Sequence, residues 1–392
     1  MFRIKSFILI LILLIIASII RIATLPIHLN FPHPSNHQNG YYDYEGVIHW
    51  HTMYSGDAMG TYDALAELGN RCNLDFLIST EHNNLQALDD HQEGWHGRML
   101  TLVGIESTRK EGYLLGMNFN SYSTRDASTN DFLNEVTQQG GYALIAHPKN
   151  PRWHWHGSID QRIVGQEIVD LTDQFTTASP AAVVTGFLYY PFNTPAAFLQ
   201  LYQRPTEALK MWDEQTAQHH FIGIYAPDLH QSIHLWGDYK IRFPKTEDIL
   251  PIAHNHVILP MPFSGNFLQD KITLYDAIKK GRIYVAIDSL QDATGFFYSA
   301  RQGNTTAWMG DELPVGQPTT FTVSLPKNLA LKNSIINVYH NGARIYRSSD
   351  TAFNFQAKEA GAYRIEVDVD IPTFWGFNKS ITWIYSNPIY LR

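Results

Sequence analysis

His49-Trp50-His51 closes a short apolar run, and Asp57 follows six residues later. In a strand, alternate side chains share a face, so His49 and His51 are predicted to point the same way. Two imidazoles and a nearby carboxylate suit a borderline divalent cation. The pattern recurs. Glu81-His82 closes Phe76-Leu77-Ile78-Ser79-Thr80, Glu106 closes Leu102-Val103-Gly104-Ile105, and His147 closes Ala143-Leu144-Ile145-Ala146. Asp228 and His230 follow Phe221-Ile222-Gly223-Ile224-Tyr225. Any one of these residues alone reads as a satisfied histidine or a surface carboxylate. Five apolar runs that each end in His, Asp or Glu predict a metal centre at the C-terminal mouth of a barrel or open α/β sheet.

One chemistry such a centre can serve is hydrolysis. Metals lower the pKa of a bound water to supply hydroxide near neutral pH, and they stabilise charge developing on a phosphoryl or carbonyl oxygen. No side-chain nucleophile is needed, which agrees with the absence of a Gly-x-Ser-x-Gly elbow. Asp228 could pass a proton as well as bind metal. Lys149 and Arg152, just after His147-Pro148, either clamp an anionic substrate or are solvated surface charges. His219-His220 read as a helix end. Cys72 is the only cysteine, which excludes an intrachain disulfide and a thiolate cluster and reads as a small core residue.

Positioning these residues requires a regular frame. Between Gly46 and about Asp288, strand-like runs alternate with helical ones at Ala58–Asn70, Thr129–Gln139 and Leu274–Lys280, each ending near glycine. That alternation predicts an α/β fold with a mostly parallel sheet. Residues 175–218 break the rhythm with Phe187, Tyr189, Tyr190, Pro191, Phe192, Phe198 and Tyr202. This aromatic insertion is extra core, a wall over the metals, or a membrane-facing patch. From 305 to 392 short alternating strands, with a hairpin turn at Asn341-Gly342, predict a β-sandwich of immunoglobulin-like size. At the N-terminus, Arg3 and Lys5 precede an apolar stretch from Phe7 to Ile20. Residues 1–29 read as an uncleaved signal anchor or a cleaved signal peptide, and both place the rest outside the cytoplasm. Residues 30–45 read as a linker. A net charge of −8 gives no basic footprint for nucleic acid. Nothing in the sequence predicts a protein partner.

Taken in order, His49-x-His51-Thr52-x-x-Ser55-Gly56-Asp57, Ser79-Thr80-Glu81-His82-Asn83, Gly104-Ile105-Glu106, Ile145-Ala146-His147-Pro148 and Asp228-x-His230 resemble the polymerase and histidinol phosphatase (PHP) domain. The resemblance covers about residues 46–290. Ala277-Ile278-Lys279-Lys280-Gly281-Arg282-Ile283-Tyr284 and the trailing β-domain are similar to its secreted, carbaryl-hydrolase-like branch. It implies a distorted seven-stranded β/α barrel over 46–300 that holds two or three divalent ions, with zinc, manganese and iron all admissible. His49, His51, Glu106 and Asp228 would hold one ion. Glu106 would bridge to a second, also held by His147. Asp57, His82 and His230 would hold a third. A further ligand of the second ion would be Asp170, His154 or His156. Two residues depart from the family pattern: Glu81 stands where Asp is usual, and Gly112-Tyr113 where Gly-His is usual.

The implied activity is a phosphoesterase acting on a small, anionic phosphate ester, with Asp228, Glu106 and His230 catalytic. Lys149, Arg152, Tyr113 and Tyr190 are candidate substrate contacts. Hydrolysis of a carboxylic or carbamic ester is the alternative. A non-catalytic glycan- or protein-binding role is the second alternative.

Overall fold

The computed structural model of the chain describes residues 2–25, 27, 37–38, 40–122, 127–236, 239–327, 329, 331, 333–372 and 378–392. Half of the expected linker, residues 30–36 and 39, lies outside them. Helix α1 (Phe2–Ala23) opens the chain. Among the described residues no helix is long and apolar enough to cross a membrane.

The fold is mixed α/β. Nine strands frame the site: β1 (Tyr41–Ile48), β2 (Phe76–His82), β3 (Met99–Arg109), β4 (Gly112–Met117), β5 (Tyr142–Ala146), β6 (Ile163–Asp170), β7 (Ile222–Ala226), β8 (His254–Leu259) and β9 (Ile283–Ala286). Parallel ladders join β1 to β2, β2 to β3, β5 to β6 and β6 to β7. The sheet is less parallel than the alternation predicts. β4 returns antiparallel between β3 and β5, and β8 lies antiparallel between β1 and β9. A hairpin from Arg109 to Gly112, too short for a crossover helix, forces that reversal.

The sheet curls until β7 returns toward β1. Asp228 N–H donates to the His49 carbonyl at 3.0 Å, and Trp50 and Leu229 form an isolated parallel bridge. The Asn255 side chain pairs with both backbone groups of Tyr225, and Asn387 does the same for Gly223. These amides satisfy backbone groups that would otherwise be buried without partners. The described ladders do not run continuously around the curl.

Both faces of the strands are buried. Ile48, Ile78, Leu102, Leu144 and Ile224 pack on one side with Leu274 and Ile278, whereas Val47, Leu77, Val103, Ile145 and Tyr225 pack on the other. Burial on both faces is why these strands read as nearly continuous apolar runs. The helices that cover them start at side-chain caps. Thr61 caps α2 (Tyr62–Arg71) and Ser128 caps α3 (Thr129–Gln138).

The insertion is helical. Asp170 caps α4 (Leu171–Thr177), Ser179 caps α5 (Pro180–Tyr189), Asn193 caps α6 (Thr194–Leu201), and α7 (Thr206–Thr216) follows. Pro180 and Pro195 fall in first turns, where the missing N–H costs nothing. The Asn193 side chain also donates to the carbonyls of Ile22 and Ile27, docking the end of α1 on the insertion.

Beyond β9 come β10 (Phe297–Gln302), β11 (Thr305–Trp308), β12 (Thr319–Ser324), β13 (Ile335–His340), β14 (Ala343–Ser348), β15 (Ala352–Ala357), β16 (Gly361–Pro372), β17 (Asn378–Ser386) and β18 (Ile389–Leu391). The β13–β14 turn is the Asn341-Gly342 hairpin, with φ of 48° and 80°. β11, β10, β12 and β15 form an antiparallel four-stranded sheet. Phe321 and Tyr298 face Tyr363 of β16 across the layer. The second layer is not a separate sheet, however. β17 pairs with β9, so β13, β14, β16 and β17 extend the sheet that carries the site.

Candidate metal centre

Three site residues take the left-handed backbone region immediately after a strand or near its end: His49 (φ 72°), His147 (φ 49°) and Asp228 (φ 43°). The predicted strand alternation of His49 and His51 therefore does not hold, because β1 stops at Ile48. The left-handed turn brings the imidazoles together instead, with Nε2 atoms 3.0 Å apart. Such conformations cost about 1–3 kcal/mol each and cluster at functional sites. Glu106 also departs from expectation, since β3 runs three residues past it.

Around this pair the predicted ligands converge. His51 Nε2 lies 3.1 Å from Asp228 Oδ1 and 3.4 Å from Glu106 Oε2. His49 Nε2 lies 3.3 Å and 3.6 Å from the same two atoms. His147 Nε2 faces the other oxygens, at 3.4 Å from Glu106 Oε1 and 3.6 Å from Asp228 Oδ2. Farther out, His82 Nδ1 is 2.8 Å from Glu106 Oε2, and His82 Nε2 is 3.0 Å from His230 Nε2 and 3.3 Å from Asp57 Oδ2. The inner residues are fully buried. Asp57 is half-exposed, and His82 and His230 reach solvent.

The far nitrogens of these rings fix their tautomers. His49 Nδ1 donates to Glu167 Oε1 at 2.5 Å, His147 Nδ1 to Asp173 Oδ1 at 3.0 Å, His51 Nδ1 to Ser55 Oγ at 2.9 Å, and His230 Nδ1 to the Asp228 carbonyl at 3.3 Å. Each donor leaves Nε2 turned into the cluster, the arrangement of metal-binding histidines. Glu106 Oε2, Asp228 Oδ1 and Asp57 Oδ1 are buried with no hydrogen-bond partner. Bare nitrogens against orphaned carboxylate oxygens form groups that could hold metal ions.

Several residues act one step out. Glu81 is no ligand. It accepts from Thr52 Oγ1, Thr52 N–H, Ser55 Oγ and Tyr62 OH, and so pins the loop that carries His51. Glu167 and Asp173 escaped the sequence reading, although a glutamate inside a buried strand was a visible signal. Of the three candidates for the second ion's further ligand, Asp170 alone is near. It stands on the Nδ1 edge of His147, 3.5 Å away, and not on the edge that faces Glu106. His154 and His156 are exposed, and His154 Nδ1 bonds the Asn150 carbonyl.

Lys149 and Arg152 are exposed too, which matches the solvated-charge reading rather than a clamp. Tyr113 is half-buried, its ring edge-on to His147. Tyr190 lines a cavity of about 260 Å³ that also touches Asp228 and His230, walled by Phe175, Phe187, Phe198 and Phe243. Of the insertion's other aromatic residues, Tyr189 and Tyr202 are core and Phe192 is exposed.

The charges are strongly coupled. Burial lowers the His49 pKa, but Glu167, Asp228 and Glu106 outweigh it and hold the ring well above the usual imidazole range. His147 is raised against burial by Asp170, Asp173 and Glu106. His82 is raised, again against burial, to about 10 by Asp57 and Glu106. Burial and the adjacent His230 push His51 down to about 3. Without a cation, then, three rings hold protons near neutral pH that an ion must displace. Zinc uptake should release protons, and affinity should fall as pH drops below about 10, where His82 protonates. Calorimetric titrations in two buffers of different ionisation enthalpy check this, and identical heats in both would contradict it.

No family model matches the chain, and no curated protein matches it.

Proposed function

We propose that the chain is a metal-dependent ester hydrolase of the PHP type, its curled sheet a distorted seven-stranded β/α barrel. The observation that carries this reading is the convergence of the His49, His51 and His147 Nε2 atoms on the orphaned oxygens of Glu106 and Asp228. His49, His51, Glu106 and Asp228 would hold one ion, Glu106 and His147 a second, and Asp57, His82 and His230 a third. Bound metals supply Lewis acidity and a water of lowered pKa. The chain's own residues do the rest. Glu106 presents one oxygen to each inner position and keeps them close. Glu167, Asp173 and Ser55 hold the rings in their binding tautomers. His230 belongs to both the cluster and the cavity wall, so it would sit between the third ion and a bound substrate.

The cavity defines the substrate's other end. Its walls are mostly aromatic and aliphatic, and no Lys or Arg is among the described residues that line it. The leading substrate is therefore a phosphate ester with an apolar substituent. The lack of a cationic wall also favours a second reading, a carboxylic or carbamic ester. Turnover by the full-length protein of p-nitrophenyl phosphate, bis-p-nitrophenyl phosphate, p-nitrophenyl butyrate and naphthyl N-methylcarbamate separates the two. Activity should vanish with chelator and return with zinc or manganese. An active metal-free enzyme would sink the reading, as would a metal-loaded one that turns over none of the four.

The basic-then-apolar N-terminus supports an anchor that leaves the enzyme extracytoplasmic. The exposed Val184, Phe187 and Leu188 of α5, on the insertion that holds Ile22 and Ile27, would face the same membrane. An intact N-terminus in the membrane fraction is expected. A soluble chain beginning near residues 25–40 would show a cleaved signal instead.

A further inference from the structure

A second group of metal-ligating side chains lies inside the fold, away from the mouth. Asp43 and Glu45 alternate on β1, His254 and His256 alternate on β8, and Asp288 follows β9. None is more than 1 % exposed. Glu45 precedes His49 by four residues, about 13 Å along a strand at 3.3 Å per residue, too far to share a bridging ligand.

The hydrogen bonds around the group leave it incomplete. His254 Nε2 lies 2.9 Å from the Leu250 carbonyl, which can only accept, so Nε2 carries the proton. Nδ1 of the same ring points at Asp288 Oδ2 (2.7 Å) and Glu45 Oε2 (3.7 Å). His256 Nδ1 donates to Asp43 Oδ1 at 3.0 Å, and its Nε2 also faces Asp288 Oδ2, at 3.1 Å. Asp43 is occupied further by Tyr284 OH and Gly295 N–H. Both carboxylates that turn inward are steadied from behind. Thr294 Oγ1 donates to Glu45 Oε1, and Ala293 N–H to Asp288 Oδ1. Glu45 Oε2 itself is buried and has no hydrogen-bond partner.

Two rings that donate backward to a carbonyl and a carboxylate, with their other nitrogens aimed at shared carboxylate oxygens, match the outer shell of a metal site. The four inward atoms all lie within 4.8 Å of one another. Ligands at about 2.0–2.2 Å from a tetrahedral ion are separated by roughly 3.3–3.6 Å, so the 2.7, 3.1 and 3.7 Å separations need only small adjustments. We propose that Glu45, His254, His256 and Asp288 form a closed structural site for one divalent cation, best suited to zinc. With four protein ligands and no exposure, it has no open position for substrate. It ties β1 and β8 to the 288–295 segment, which leads into the four-stranded sheet, and so fastens the two parts of the fold.

The competing arrangement is two imidazolium rings among three carboxylates. It carries the same net charge of −1 as one divalent ion between neutral rings, so charge balance does not choose. Crystals of the full chain, stripped and reloaded with zinc alone, decide by anomalous diffraction at the zinc edge. A peak enclosed by the four side chains is expected, distinct from any at the mouth. No peak there overturns the proposal, whatever the mouth shows. Glu45→Gln should carry one zinc fewer per chain by elemental analysis, with the mouth occupancy unchanged. An unaltered zinc count in that variant also overturns it. The diffraction result stands even where the variant does not fold.

Discussion

Glu106→Ala should lower kcat/KM by a thousandfold or more, roughly 4 kcal/mol of barrier at about 1.36 kcal/mol per tenfold. It should also cost at least one metal equivalent per chain. Glu106 stands among four imidazoles. Its Oε2 faces His49, His51 and His82, and its Oε1 faces His147. Removing it takes the carboxylate proposed to serve both inner ions and leaves four imidazoles without it. Although burial works against ionisation, His49 and its neighbours hold this carboxyl well below the usual carboxylate range. The fold should survive, because Glu106 lies within a strand laddered on both sides, to His82 and to Leu115. Asp57→Ala is the internal comparison. Asp57 is half-exposed and approaches only His82 and His230, so its loss should be milder. Kinetics, elemental analysis and a thermal melt on the two variants test this. Glu106→Ala activity within threefold of wild type, about 0.6 kcal/mol, would refute the placement of the metals.

The site was legible in the sequence wherever chemistry coincides with a strand end. His82, His147 and Asp228 follow buried apolar runs, and such runs are visible because both strand faces are packed. What the sequence hid was orientation. The left-handed turns at His49, His147 and Asp228 carry no compositional mark, since none is glycine. Glu167 and Asp173 serve through a ring's far nitrogen, a relation that only the folded chain creates. The antiparallel β4 was hidden because a hairpin and a crossover look alike when both join apolar runs. The inner cluster shows the limit most clearly. His254-Asn255-His256 repeats the spacing of His49-Trp50-His51, yet its partners Asp43 and Glu45 sit where polar residues and nearby Gly40 suggested a linker. β1 in fact begins at Tyr41, and those carboxylates point inward. Alternation of polar with aromatic residues reads the same whether the polar face meets water or a buried cluster. The C-terminal strands were legible as short alternating runs, but their continuity with the β9 sheet depends on one long-range ladder.

That continuity makes the second large effect a matter of stability. Arg364→Ala should destabilise the full chain by about 3–5 kcal/mol, the usual cost of stripping one partner from a buried ion pair. Arg364 on β16 is 1 % exposed. It grips Asp213 of α7 with two bonds (2.6 and 2.8 Å) and Glu366 with a third at 2.7 Å. Its guanidinium lies over the rings of Tyr339 and Trp212. One side chain therefore joins the insertion to the extended sheet. Its removal leaves Glu366, itself fully buried, with only the partly exposed Arg204 at 2.7 Å. The loss should depend on pH in a defined direction. Burial raises the Glu366 pKa, but Arg364 and Arg204 outweigh it and hold the carboxyl below its ordinary value. A depressed carboxylate adds stability that is present above its unfolded pKa and is lost as pH falls through the folded one. In Arg364→Ala that contribution shrinks and Glu366 becomes easier to protonate. The gap between variant and wild type should then be widest near pH 7 and narrow toward about pH 4. Chemical denaturation of both proteins at the two pH values measures it. A gap under about 1 kcal/mol at neutral pH would mean that the insertion and the extended sheet are held together by apolar packing and that the buried arginine is dispensable.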